Sequence, residues 1–245
     1  MEITNTEVYG FEAALRGMRN PKNSWDKIDS IKIDNFNPTR EMVDHKFEKE
    51  GYNKYNCEGF LIGDNDLKLA QTLIKSGSEH MKFMRQIQVW ADFDMTRFFW
   101  SEMDTYHFNS KNSCSTMHKL LDPKREITKD MFDYNLEDED IVDILVNRLN
   151  KIRGQFLATK DFNKQTELKR RAKCLLMEGF LQTRTMNTNY AEIRNIVLQR
   201  KHHQMKEDWQ ETFCAWATTL PYAKELIFCG IEDDYERLKE MCKNA

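Results

Sequence analysis

Glycine is scarce in this chain, with nine residues in 245, and none of them stands in a G-x-G or G-x-x-x-x-G-K arrangement. Those motifs use glycine so that backbone N–H groups can approach a phosphate, so their absence excludes Rossmann and P-loop nucleotide sites. The six histidines form no H-E-x-x-H, and the only carboxylate three residues ahead of a histidine is Asp104, before His107. No metal site is expected from that inventory. A G-x-S-x-G nucleophile elbow is also missing. Six cysteines, at 57, 114, 174, 214, 229 and 242, include no C-x-x-C pair and no compact framework. No signal-like apolar segment opens the sequence, and the expectation is a reduced, cytoplasmic protein. Apolar runs extend only a few residues, so no membrane span is expected. With 37 basic and 40 acidic residues the net charge is -3, which provides no global field for nucleic acid or for an anionic membrane.

What is present fits one elaborated domain over residues 1–245, since 29.3 kDa is enough for one substantial core. A helix is expected from Glu7 to Met18, where Phe11, Leu15 and Met18 recur at helical spacing. The polar stretch Asn20 to Arg40, with Pro21 and Pro38, reads as loop. Asp64 is placed as the N-cap of a helix carrying Leu67, Ala70, Leu73 and Ile74, with Gly77 as its stop. The period then changes: Ile87, Val89, Ala91 and Phe93 alternate with Gln86, Gln88, Trp90 and Asp92, which predicts a half-buried strand. A helix from Met95 to Tyr106 leads into a polar loop at Ser110 to Ser115. Helical period resumes at Ile141, Ile144, Leu145, Leu149, Ile152 and Phe156, again over Leu168 to Arg184, and again at Tyr190, Ile193 and Val197. Glu137 to Asp140 suit the positive end of the first of these helices, and Pro221 breaks the chain before a last short helix or pair. One strand among many helices makes the fold class α+β, a helix-rich single domain with a small sheet.

Two segments carry chemistry. Ser110, Asn112, Ser113 and Ser115 present hydroxyl and amide groups able to bind a phosphate or a base, and the same run describes an ordinary capped turn. Arg184 and Arg194 follow in the second half, where a helix arginine is more often solvated than functional.

Taken in order and spacing, these segments resemble the flavin-dependent thymidylate synthases. That family carries R-H-R-x-x-S-x-N-E-x-S-x-R-Y and, downstream, a helix reading F-L-x-x-R followed by A-Q-x-E-I-R. Here Ser110, Asn112 and Ser115 fall on the S-x-N-x-x-S skeleton, and Phe180, Leu181, Arg184, Glu192 and Ile193 fall on the second motif without a gap. Upstream order agrees as well: a helix ending Leu73-Ile74-Lys75-Ser76-Gly77, then Glu79-His80, a strand, and an aromatic helix. The likeness covers about residues 64 to 120 and 165 to 230. The departures are specific. Thr105-Tyr106-His107 replaces the R-H-R triplet, or Met103-Asp104-Thr105 does so if the loop holds a two-residue insertion; neither register contains an arginine. Ser113 replaces the glutamate, Met117 the arginine and His118 the tyrosine, and Gly179 stands where the family has asparagine.

The resemblance implies a site for a pyrimidine deoxynucleotide at Ser110, Asn112, Ser115 and Arg184, with His80, His107 and Ser113 as the cofactor-contacting positions. It implies reductive methylation of dUMP to dTMP, or a related C5 modification, with FAD as cofactor and NADPH and methylenetetrahydrofolate as co-substrates. It also implies a homotetramer, and no catalytic residue is assigned. Because charge-assisted bonds to phosphate are about twice as strong as neutral ones, losing the triplet weakens the case for FAD. Three readings follow: an active flavin enzyme, a non-catalytic nucleotide-binding homologue that has lost FAD, and a helical interaction protein sharing only the fold.

Overall fold

The computed structural model describes residues 1–32, 56–57 and 59–244. Its strands are β1 (Glu2–Tyr9), β2 (Ile31–Lys32), β3 (Asn56–Cys57), β4 (Phe60–Leu61), β5 (Gln88–Thr96), β6 (Ser110–Ser113) and β7 (Leu181–Asn189). Five of them form one sheet in the order β3-β1-β5-β7-β6, and β2 pairs with β4. β1 and β3 are parallel, with Glu7 opposite Asn56. Side-chain partners step in opposite directions along β5 and β7, Asp92 with Thr185 and Asp94 with Thr183, so these two strands run antiparallel. The longer helices are Asp64–Lys75, Glu139–Ala158, Phe162–Leu175, Tyr190–Arg200 and Glu232–Asn244. The fold is therefore the expected helix-rich α+β arrangement with a small sheet. Among the described residues, no helix is long and apolar enough to cross a membrane.

Several local expectations are corrected. The helix placed at Glu7 to Met18 is β1 followed by Phe11–Met18, with the break at Gly10. Gly10 has φ 104°, and a Cβ there would lie 2.3 Å from the Gln86 carbonyl oxygen, so the turn requires glycine. Gly63, not Asp64, is the N-cap of Asp64–Lys75. The Met95 to Tyr106 helix shortens to Arg97–Met103, because β5 runs on to Thr96, whose hydroxyl accepts the Phe99 N–H at 3.2 Å as an N-cap. Ser110 to Ser113 form a strand rather than a loop. Of the loop expected over 20–40, short 3₁₀ turns and β2 occupy Asn20 to Lys32, and residues 33–40 lie outside the described residues.

The described chain separates into two compact units. One comprises Met1 with residues 93–105 and 112–184; the other comprises residues 2–92, 106–111 and 185–245. In the first unit, Val142, Leu149 and Ile152 of one long helix and Leu168 and Ala172 of the next enclose a core with Leu120, Ile127, Phe132 and Phe180. Each of these side chains apart from Ala172 contributes roughly 1.5–3 kcal/mol by leaving water. The expected face of Glu139–Ala158 is only partly right: Ile141 and Ile144 point outward, 58% and 69% exposed. In the second unit, Phe11 packs edge-on to Tyr190 and Tyr222, and the Tyr190 hydroxyl donates to the Pro221 carbonyl at 2.6 Å.

A buried charge pair locks the start of that second unit. Asp66 is fully buried and Arg19 is 4% exposed. Arg19 Nε donates to Asp66 Oδ1 at 2.7 Å, and Nη2 lies at the same distance, close enough for charge pairing but off the hydrogen-bond direction. The other carboxylate oxygen accepts from the Ser30 hydroxyl at 2.6 Å and from the Ser30 and Asp29 N–H groups at 3.0 and 3.2 Å. Removing one partner of such a pair leaves an uncompensated buried charge. We expect Asp66→Asn to lower unfolding free energy by about 3 kcal/mol, near the low end of the range for broken buried pairs. Urea denaturation with an unchanged m-value checks this, and a loss under about 1 kcal/mol would place the pair in contact with water.

Candidate nucleotide site

The segment Leu168 to Arg184, read as helical, splits into the helix Phe162–Leu175 and strand β7. Gly179 makes the switch possible, since a Cβ at that position would stand 2.2 Å from the Asp133 carbonyl oxygen. The two backbones touch there, with Asp133 N–H donating to the Gly179 carbonyl at 2.8 Å, and Phe132 bridges to Phe180 alongside. From Leu181 the β-branched Thr183, Thr185 and Thr188 favour strand. Arg184 is therefore a strand arginine.

In the first unit, Arg184 is held on three sides. Its guanidinium carbon lies 4.4 Å from the Trp100 ring centroid, a cation–π contact. Nε and Nη2 donate to Gln182 Oε1 at 3.3 and 3.1 Å, and Nη1 donates to both Asp104 oxygens at 3.3 Å. Gln182 is itself pinned, because its Nε2 donates to the Cys114 carbonyl at 2.8 Å. The Trp100 indole N–H donates to the Gln182 carbonyl, also at 2.8 Å. Through these contacts the Cys114–Ser115 segment joins the strand that bears Arg184, and Cys114 N–H donates to the Thr183 carbonyl at 2.9 Å.

Beside this cluster is a cavity of about 490 Å³ lined by Ser115, Lys119, Arg125, Phe180, Gln182 and Thr183, among others. Ser115 lines it; Asn112, Ser113 and Arg184 do not. Asn112 and Ser113 are exposed on β6 in the same unit. The lining also includes Asp94, Asp122, Glu126 and Asp130, which outnumber Lys119 and Arg125, so the cavity interior favours neutral or cationic groups over a phosphate. Lys119 is already paired with Asp122 at 3.0 Å.

The remaining expected positions, Ser110, His80 and His107, belong to the second unit, and all three are exposed. There His107 and Arg85 both act on Glu192, a buried carboxyl. Burial pushes Glu192 above the usual carboxylate range, opposed by hydrogen bonds from the Phe108 N–H and the Asn195 side chain and by the charges of His107 and Arg85. The Arg85 guanidinium lies 5.0 Å from the ring centroid of Phe108, which is 55% exposed. Nearby in sequence to Arg85, Glu79 is held below its ordinary value first by Lys82 and then also by Arg85 and His80. The structure thus gathers His80, His107 and Arg85 in one unit and Ser113 in the other. Arg194 serves the fold: it is half-buried, burial pushes its pKa down, and Nη1 donates to the Ile227 carbonyl at 2.6 Å.

Gln182, Asp104 and Arg85 were missed in the sequence. Gln182 occupies an unspecified position of F-L-x-x-R, and Asp104 and Arg85 act across 80 and more than 20 residues of chain, so no local spacing marks them.

No protein-family model matches the sequence, and no curated protein matches it in sequence. Solved structures do match in fold. Thymidylate synthase X (ThyX) from Helicobacter pylori, solved with FAD and dUMP, shares 16% identity over 96% of this chain and 100% of that one, with a TM-score of 0.62. A second structure of the flavin-dependent thymidylate synthase ThyX from the same organism, also complexed with FAD and dUMP, shares 15% over 93% and 98%, with a TM-score of 0.58. At that identity the likeness is one of fold, and this chain has a fold like that of the flavin-dependent thymidylate synthases.

Proposed function

We propose that this protein binds a pyrimidine deoxynucleotide and acts on C5 of its base, reductively methylating dUMP to dTMP as a single 1–245 domain of a cytoplasmic homotetramer. The observation that carries this reading is Arg184, a guanidinium presented from β7 over Trp100, in a chain whose structural neighbours were solved with dUMP. A planar fork of that kind matches a phosphate, and Ser115 and Asn112 would orient the sugar and base. His107 and Arg85, with the exposed Phe108 ring, would hold the diphosphate and ring of FAD in place of the missing triplet arginines; the Arg85 guanidinium beside Phe108 supports this. His80 would be an outer contact of that cofactor. FAD would supply the hydride, with NADPH as reductant and methylenetetrahydrofolate as carbon donor. Three of the unit boundaries fall inside β5, β6 and β7 rather than in linkers, which supports a single domain. Ile141, Ile144, Leu136 and Phe162, all strongly exposed, supply apolar surface for the assembly.

Purified protein should retain flavin absorption after FAD addition and gel filtration, and Arg85→Ala should lose most of it. A colourless wild type that still binds dUMP would instead establish the non-catalytic reading. By calorimetry, Arg184→Ala should weaken dUMP binding by about 1.5–3 kcal/mol, the range for bonds to a charged group, and Arg184→Lys should recover only part. Arg170→Ala, an exposed helix position, is the control. Arg200 is unsuitable as one, since it donates to the Tyr106 hydroxyl at 2.8 Å and stacks on Trp209 at 4.4 Å. Equal dUMP affinity in Arg184→Ala and wild type moves the site elsewhere. Light scattering should give four times the 29.3 kDa chain mass, and a monomer at micromolar concentration would overturn the tetramer.

A further inference from the structure

We infer that Asp104 is a resident counter-ion occupying the side of Arg184 that a nucleotide phosphate takes, so that phosphate binding is an exchange of one anion for another; this rests on the proposed nucleotide reading. The three contacts of Arg184 differ in kind. The Trp100 face is fixed by the indole bond to the Gln182 carbonyl, and the Gln182 edge is fixed by its bond to the Cys114 carbonyl. Both are neutral. Among the described residues, only the third edge holds a charge, the Asp104 carboxylate, whose side chain is 51% exposed while that of Arg184 is 18% exposed. An anion arriving from solvent therefore meets Arg184 along the Asp104 edge, where it can replace an ion pair without disturbing the stack or the amide.

The placement of Asp104 argues for such a role. It is the C-cap of Arg97–Met103, with its N–H donating to the Trp100 carbonyl at 2.9 Å. A carboxylate at the negative end of a helix is unfavourable for the helix itself. Arg184 offsets that charge, and the pair reaches across 80 residues of sequence. Because the partner is half-exposed, the pair is weak enough to exchange, in the range of ordinary surface ion pairs. It also holds the guanidinium in one orientation when no ligand is present.

The test titrates dUMP, deoxyuridine and inorganic phosphate into wild type and Asp104→Asn, an isosteric change at a half-exposed position. We expect dUMP and phosphate to bind about three- to fivefold tighter to the variant, the equivalent of an exposed ion pair no longer broken on binding. Deoxyuridine, with no phosphate, should show no change. If wild type binds dUMP and the variant binds it equally or more weakly, Asp104 only positions Arg184; the exchange is overturned and the nucleotide reading stands. If dUMP binds neither protein while phosphate binds the variant more tightly, the exchange stands and the pyrimidine reading fails. Absence of binding by all three ligands overturns both.

Discussion

The two-residue period of β7 is the constraint on which the candidate site depends. A strand sends successive side chains to opposite faces, so Gln182 and Arg184 share one side while Thr183 and Thr185 take the other. That alternation is why Arg184 meets Trp100 and Gln182, and why Thr183 and Thr185 reach Asp94 and Asp92 instead. On a helix, Gln182 and Arg184 would lie about 200° apart and could not share a guanidinium contact. The strand also ends abruptly. Asn189 accepts the Glu192 N–H at 3.0 Å, so the chain passes from strand to the helix Tyr190–Arg200 without a loop.

Charge in this protein is recovered in space where it is missing in sequence. Neither register of the segment before Ser110 contains an arginine, yet Arg85, from the 3₁₀ segment Met81–Gln86, stands over Phe108 in that same segment. Conversely, Lys119 and Arg125 sit beside the cavity, where neighbouring carboxylates cancel them. Counting cations within a motif therefore misjudges both places. What matters to an anion is the local sum of charges and its desolvation, which depend on distances between segments remote in the chain.

The cysteines show the same dependence on surroundings. Cys214 is buried, and burial pushes its thiol up to about 12, a packing residue without thiolate character at neutral pH. Cys229, also buried, is shifted up for the same reason. Cys114 is exposed at the edge of the cavity and contributes its backbone, which pins Gln182 and pairs with Thr183. Its part in the arrangement is independent of sulfur chemistry.

Elements whose period was unbroken were legible in the residues alone. Val89, Ala91 and Phe93 alternate cleanly into β5, and Tyr190, Ile193 and Val197 of Tyr190–Arg200 are buried at their helical spacing, because burial imposes that spacing. The order of the motif residues, and with it the fold class, was also readable. Three things were decided only by tertiary structure. Gly179 permits contact with Asp133, which stops a helical pattern and begins β7. In Glu139–Ala158, packing against Leu168 and Ala172 selects Val142 rather than Ile141 and Ile144 as the inward side. Arg184 acquires Asp104 and Trp100 as partners. In each case the deciding contact joins segments far apart in the chain, whereas periodicity records only which residues of one segment share a face.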